Sequence, residues 1–193
     1  GVLVVMAISM IYPFYYLLIN SLNAMLSHGP SYLVPEKFTL VNYKVVFQNE
    51  DLFGAFIMTV LRTAVGVCVT MFNCAMCAFA LRKRKLSMRN LYLVLFTIPM
   101  FFNGGIVPIY LNLKMLRMLD KFIVYIIPRA FFFFYVIIYM ANFNAIPDSL
   151  EESATIDGAG YFSTFIRIYL PLSAPVVATL SLFAGVGQWN SWF

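Results

Sequence analysis

The sequence predicts an all-α protein, a polytopic transmembrane helical bundle, and three observations carry that expectation. First, 62% of the 193 residues are hydrophobic and 11% are charged, with a mean hydropathy of +0.85. An average soluble domain is roughly 45–50% apolar and about 25% charged, so lipid must be the solvent for much of this surface. Second, the apolar residues gather into five runs, each near the roughly 20 residues that cross a bilayer core. Third, the acids avoid the middle of every run, and a dense basic cluster sits between two of them.

The first run extends from about Val2 to Ile19. It has neither a basic flank nor an A-x-A site, so it reads as a span and not as a signal peptide. The second covers Ala55–Leu81, the third Leu91–Tyr110, and the fourth Phe122–Ala141. The fifth begins near Leu172 and is still apolar at Phe193. Because the chain starts inside one run and stops inside another, a fragment of a longer protein is expected. Pro13, Pro99, Pro108, Pro128 and Pro175 fall within or beside these runs, where kinks are expected. The connections differ: Leu22–Leu52 is polar, Arg82–Asn90 short and basic, Asn112–Lys121 mixed, and Asn142–Pro171 acidic. That last loop holds Asp148, Glu151, Glu152 and Asp157.

The basic cluster sets an orientation. Arg82, Lys83, Arg84, Lys85 and Arg89 crowd one loop, which the positive-inside rule places in the cytoplasm. The inside then holds six Lys/Arg, counting Arg167, against five outside: Lys37, Lys44, Lys114, Arg117 and Lys121. The total is nearly even, and the density of the cluster decides it. The same choice puts Asn142–Pro171 in the cytoplasm. A basic run between apolar spans does not point to nucleic acid. Cys74-x-x-Cys77 lacks the surroundings of a redox motif, and with Cys68 these thiols read as buried or lipid-facing. His28 is the single histidine, so no metal site is implied.

The loop after the fourth run carries the most information. Ser149-x-x-Glu152 has the form of a capping box, and a short helix to about Asp157 is expected. Gly158, or Gly160 beyond it, can supply the left-handed turn that ends such a helix. Tyr161, Phe162, Phe165, Ile166 and Tyr169 then line one stripe of a second segment, which Pro171 stops. Helix, glycine turn, helix at a membrane surface is either an ordinary amphipathic hairpin or a stiff element that docks in a partner.

Glu152-Ser153-Ala154, three residues, Gly158, nine residues, then Ile168-Tyr169-Leu170-Pro171 resembles the EAA motif of ATP-binding-cassette importer permeases. The departure is Ser153, where the pattern has alanine. The run Ile146–Ala159, Tyr12-Pro13 with Asn20-Ser21, Asn42-Tyr43, Asn103–Pro108 and Gly187–Trp192 resemble the carbohydrate-uptake branch, of the maltose G-subunit type. Within it the likeness is greatest to permeases for complex or acidic polysaccharide fragments. The resemblance implies six spans in a full chain and one transmembrane permease domain over residues 1–193. It implies a cytoplasmic coupling loop at 142–171 and a place in the bacterial inner membrane. Glu151, Glu152, Ser153, Ala154, Asp157, Gly158, Ile168, Leu170 and Pro171 would meet an ATPase. The partners implied are a second permease, two ATPase subunits, an extracytoplasmic solute-binding protein and an oligosaccharide. ATP and Mg would be used by the ATPase subunits, with no cofactor bound here and no catalysis by this chain. A permease of the same kind for an amino acid or phosphate stays open. A secondary transporter would want ionisable groups at mid-membrane depth, and no Asp or Glu lies in the middle of any run; a membrane enzyme would want a cluster of His, Asp, Glu or Cys at matching depth, and no such cluster stands out.

Arg62 and Arg129 are the two basic residues within runs, one to two turns below the outer surface. Gln188, Trp189 and Asn190 lie roughly 24–27 Å along the fifth run. These five either line a cavity for a carboxylate-bearing sugar, or the arginines snorkel while the polar trio caps a helix.

Overall fold

The computed structural model describes residues 1–24, 33–35, 37–102 and 104–191. His28, Pro30, Ser31, Asn103 and Trp192-Phe193 lie outside them. The contacts divide the chain into two units, Gly1–Met58 and Thr59–Phe193.

In the first unit, α1 (Val2–Ser21) contains no charged residue and exposes nearly all of its apolar side chains. A helix that closes its own backbone bonds and turns apolar groups outward suits a lipid solvent. Beyond its end the chain returns on itself through the Asn23–Phe38 bridge. The Asn42 amide donates to the Ser21 carbonyl at 3.1 Å and to the Asn23 carbonyl at 3.0 Å. Tyr43 lies 2.6 Å from the Ser21 hydroxyl. Asn42, in α2 (Val41–Gln48), thus closes off a carbonyl that the end of α1 leaves unpaired, while Tyr43 holds the Ser21 hydroxyl.

The second unit is built on α3 (Glu50–Arg82), whose first turns belong to the first unit. Its 33 residues make a rod about 50 Å long, longer than the roughly 30 Å bilayer core. Cys74, Ala75 and Ala78 are fully buried on one face, and such small side chains let helices approach closely. Phe133, Val136, Tyr139 and Phe143 of α6 (Phe133–Ala145) pack there, with Phe165, Tyr169, Leu180 and Ala184.

Three expected spans are broken, not merely kinked. Arg89–Phe101 (α4) and Ile106–Met115 (α5) meet at 118°. Pro99 and Pro108 stay inside these helices, and the chain turns beside Gly105, whose φ of +79° favours glycine. The fourth run starts as two 3-10 turns, Phe122–Tyr125 and Ile127–Arg129, and bends 55° into α6. The fifth begins earlier than expected. α7 (Asp148–Ile156) is followed by α8 (Tyr161–Thr164), a π turn at Phe165–Tyr169 and α9 (Leu170–Leu172). An 81° bend at Ser173 then leads into α10 (Ala174–Trp189). Pro171 therefore does not stop the helix. Its ring would clash with the carbonyl four residues back, and the widened π turn makes room for it. Pro128 and Pro175 sit in first turns, where a missing N–H costs little.

Candidate functional site

At the far end of α3 the chain builds a compact ionic cluster. Arg82 is the last residue of that helix, and its side chain is only 7% exposed. Its Nη2 donates to Glu151 Oε2 at 2.7 Å and to Asp148 Oδ1 at 2.9 Å. Its Nη1 donates to the Phe143 carbonyl at 3.3 Å. The guanidinium also lies over the Tyr169 ring, 4.3 Å from its centroid. Lys83 Nζ reaches Glu151 Oε1 at 2.8 Å while sitting 3.5 Å over the Tyr161 ring. The Tyr169 hydroxyl approaches Glu151 Oε2 at 3.3 Å. Burial alone would push the Glu151 carboxyl up, but Lys83 and Arg82 hold it below its ordinary value.

Glu151 therefore faces inward, whereas Glu152, Ser153, Asp157 and Gly158 are exposed. Ala154 is half-buried, Ile168 and Leu170 pack on the core, and Pro171 is exposed. The capping box does not form. Pro147 occupies the N-cap position, without a side-chain cap, and Ser149 lies inside α7. The other end follows expectation: Gly158 has φ +79°, while Gly160 is extended. The Ala159 N–H reaches the Ala154 carbonyl at 2.8 Å, and the Gly158 N–H reaches the Thr155 carbonyl at 3.1 Å. That pair of bonds is a Schellman closure. The expected stripe divides, because Phe165 and Tyr169 are buried while Tyr161 and Phe162 are exposed.

A second constellation surrounds the break before α6. Thr70 Oγ1 is 2.7 Å from the Arg129 carbonyl. Asn73 donates to the Ala130 carbonyl at 3.2 Å. The Phe132 N–H donates to Cys74 Sγ at 3.4 Å. Positions 70, 73 and 74 share one helical face, so α3 supplies the partners that this irregular backbone needs inside a membrane.

Beside the break is a cavity of about 330 Å³, lined by Arg129, Phe131, Tyr135, Phe183 and Gln188 among others. Gln188 is 4% exposed, and among the described residues its Nε2 has no hydrogen-bond partner. A Cβ on Gly66 would come within 2.6 Å of that nitrogen, so glycine is what admits the amide. Arg129 Nη1 donates to the Gly187 carbonyl at 2.7 Å. Arg62 donates to the Ser191 carbonyl and lies over Tyr125. Arg129 thus serves a carbonyl in the last turn of α10, where the helix dipole favours a cation, whereas Arg62 holds a carbonyl two residues beyond that helix. Asn190 is the C-cap of α10, and Trp189 is exposed. Arg62, Trp189 and Asn190 are not among the residues lining the cavity.

Residues 66–191, which hold both constellations, match the family described as "Binding-protein-dependent transport system inner membrane component". The chain belongs to that family. It is 40% identical over 185 residues to Protein LplC of Bacillus subtilis (strain 168), covering 95% of this chain and 63% of that protein. It is 40% identical over 162 residues to "Polygalacturonan/rhamnogalacturonan transport system permease protein YtcP" of the same organism. That alignment covers 83% of this chain and 56% of the relative. The chain therefore spans between 56% and 63% of these relatives' lengths. A chain of the "Crystal structure of a bacterial ABC transporter involved in the import of the acidic polysaccharide alginate" superposes with a TM-score of 0.90 at 28% identity. The superposition covers 100% of this chain and 69% of that one.

In this inner-membrane component, Arg82, Lys83, Thr70 and Asn73 make contacts that their place in the sequence does not mark, and Tyr169 reads there only as part of an apolar stripe. Arg82 and Lys83 read only as topological charge. Acids at 148 and 151, at the same end of the bundle, were the available signal for pairing. Thr70 and Asn73 were polar residues in an apolar run, three apart, with no acidic or basic neighbour to draw notice.

Proposed function

We propose that the chain is the translocating subunit of an ATP-driven importer of oligosaccharides, working by alternating access. The observation that carries this reading is the family match over residues 66–191, which contains α7, the Gly158 turn and the cavity. The exposed face of α7, with Glu152, Ser153 and Asp157, is the contact for a separate ATPase subunit. ATP and Mg belong to two such subunits, and this chain has no catalytic role. A second permease and an extracytoplasmic binding protein complete the assembly. Residues 82–90 and 142–171 face the cytoplasm.

The cargo is acidic. The name of YtcP and the alginate transporter support uronate-rich sugars. The cavity offers the matching chemistry: aromatic faces for a ring, the Gln188 amide nitrogen, unpartnered among the described residues, for a hydroxyl, and Arg129 for a carboxylate. Trp189 and Asn190, at the exposed end of α10, and Arg62 beside them extend the path. Arg129 keeps one nitrogen on Gly187 and has others to offer.

The test uses the full-length permease reconstituted with its partner subunits. Oligogalacturonate should stimulate ATP hydrolysis more than neutral oligosaccharides of equal length. Arg129→Gln and Gln188→Leu should each weaken the acidic response more than the neutral one. Stimulation by neutral sugars alone would overturn the acidic cargo.

A further inference from the structure

We propose that Arg82 and Glu151 form a positioning clasp that locks α7 to the end of α3, so that a displacement of α7 moves α3 as one lever. The inference rests on the importer reading above and adds the residues that carry motion inward.

Exposed ion pairs contribute little, about 0–1 kcal/mol. This one is different in kind. The Arg82 and Glu151 side chains are 7% and 16% exposed, whereas that of Asp148 is 83% exposed. Asp148 is thus peripheral, and Glu151 is the anchor. Both of its oxygens are engaged, by Arg82 and Lys83 on one side of the chain and by Tyr169 on the other. Arg82 meanwhile grips α6 through the Phe143 carbonyl and stacks on Tyr169. One guanidinium therefore ties together α3, α6, α7 and the π turn. A lysine could not do this, because the fork and the flat face are used at once.

The neighbouring acids divide the work. Glu152 is exposed on the outer face of α7, and Glu151 points into the bundle. Force received by α7 thus has a direct mechanical path to Arg82. From there α3 is unbroken. Thr70, which holds the backbone break, lies twelve residues up the helix, about 18 Å away at 1.5 Å per residue. Gly66, against which the Gln188 amide rests, lies about 24 Å away by the same measure. The clasp and the cavity are the two ends of one rod.

The test places spin labels at Ala80 and Thr155, both exposed, in the assembled full-length complex. The parent should give one narrow distance. Arg82→Gln and Glu151→Gln should each broaden it, and the double variant should be no broader than the worse single. Arg82→Lys should fall between. Cargo moved per ATP should drop several-fold in both single variants at equal assembly, and stay unchanged in Lys85→Gln, which removes a neighbouring charge outside the clasp. Glu151→Gln keeps the side-chain shape and guards against a folding defect. An unchanged distance distribution in the single variants, or broadening that adds in the double, overturns the clasp. The importer reading is judged separately, by whether cargo stimulates ATP hydrolysis in the parent, and the distances decide the clasp either way.

Discussion

Gly158 has φ +79°, and nothing lies within 4 Å of where a Cβ would stand. Space is free there, so the whole cost of a side chain is torsional: about 1–2 kcal/mol for an L-residue in this region, worst for a β-branched one. One or two kcal/mol changes a population by roughly fivefold to thirtyfold. Gly158→Val should therefore lower cargo-driven ATP hydrolysis by about that factor, while Gly158→Asn, which tolerates the turn, stays near the parent. Equal activity of the valine variant in a fully assembled complex would refute the role of the turn. Glu151 is tied in by charge, and its contribution depends on pH. Its folded carboxyl titrates below the ordinary 4.5, so its pairing contributes full stability above that pH. The contribution fades as pH falls through the lower, folded value. The parent should melt above Glu151→Gln at neutral pH, and the gap should close in acid. A gap that is constant down to strongly acidic pH would show that Glu151 acts through shape and not charge.

Among the elements, α3 explains most of what the sequence left obscure. Its polar side chains at 70, 73 and 74 meet the backbone of residues 129–132. Interhelical hydrogen bonds in membranes average about 0.6 kcal/mol and reach about 1.7. Thr70→Val and Asn73→Leu should each lower the melting temperature of the purified protein by a few degrees, and Thr70→Ser should restore it. If Thr70→Val melts with the parent, the break is held by packing instead. The runs themselves were legible, because apolar length and absent acids depend on composition alone. The breaks were not. Prolines inside runs read as kinks, yet Pro99 and Pro108 stay helical, and the turn falls beside Gly105. The end of α7 was legible because a left-handed turn all but requires glycine. Its start was not, because Pro147 took the N-cap position that Ser149 was expected to fill. Of the five residues expected around a cavity, Arg129 and Gln188 line the one beside the break, whereas Arg62 turns to the Ser191 carbonyl past the end of α10, a backbone acceptor that no sequence pattern marks.

The proposed coupling depends on the sidedness of the bundle, on which both charge and geometry bear. The basic count is nearly even, six against five, so charge alone decides weakly. Geometry adds a constraint that charge does not. Arg82 and Lys83 bond Asp148 and Glu151, so residues 82–90 and 142–171 must lie at one end of the bundle, whichever way the bundle points. Single cysteines at Ser87, Ser149 and Lys114, all exposed, separate the two arguments in a background without Cys68, Cys74 and Cys77. An impermeant maleimide on intact cells, with any outer envelope permeabilised, should label Lys114→Cys and spare Ser87→Cys and Ser149→Cys. Labelling of Ser87→Cys and Ser149→Cys together, with Lys114→Cys spared, would leave the clasp standing and invert the orientation, removing α7 from reach of a cytoplasmic ATPase. Labelling of one of the pair without the other would break the geometry itself, since no bundle can hold an ion pair across a bilayer.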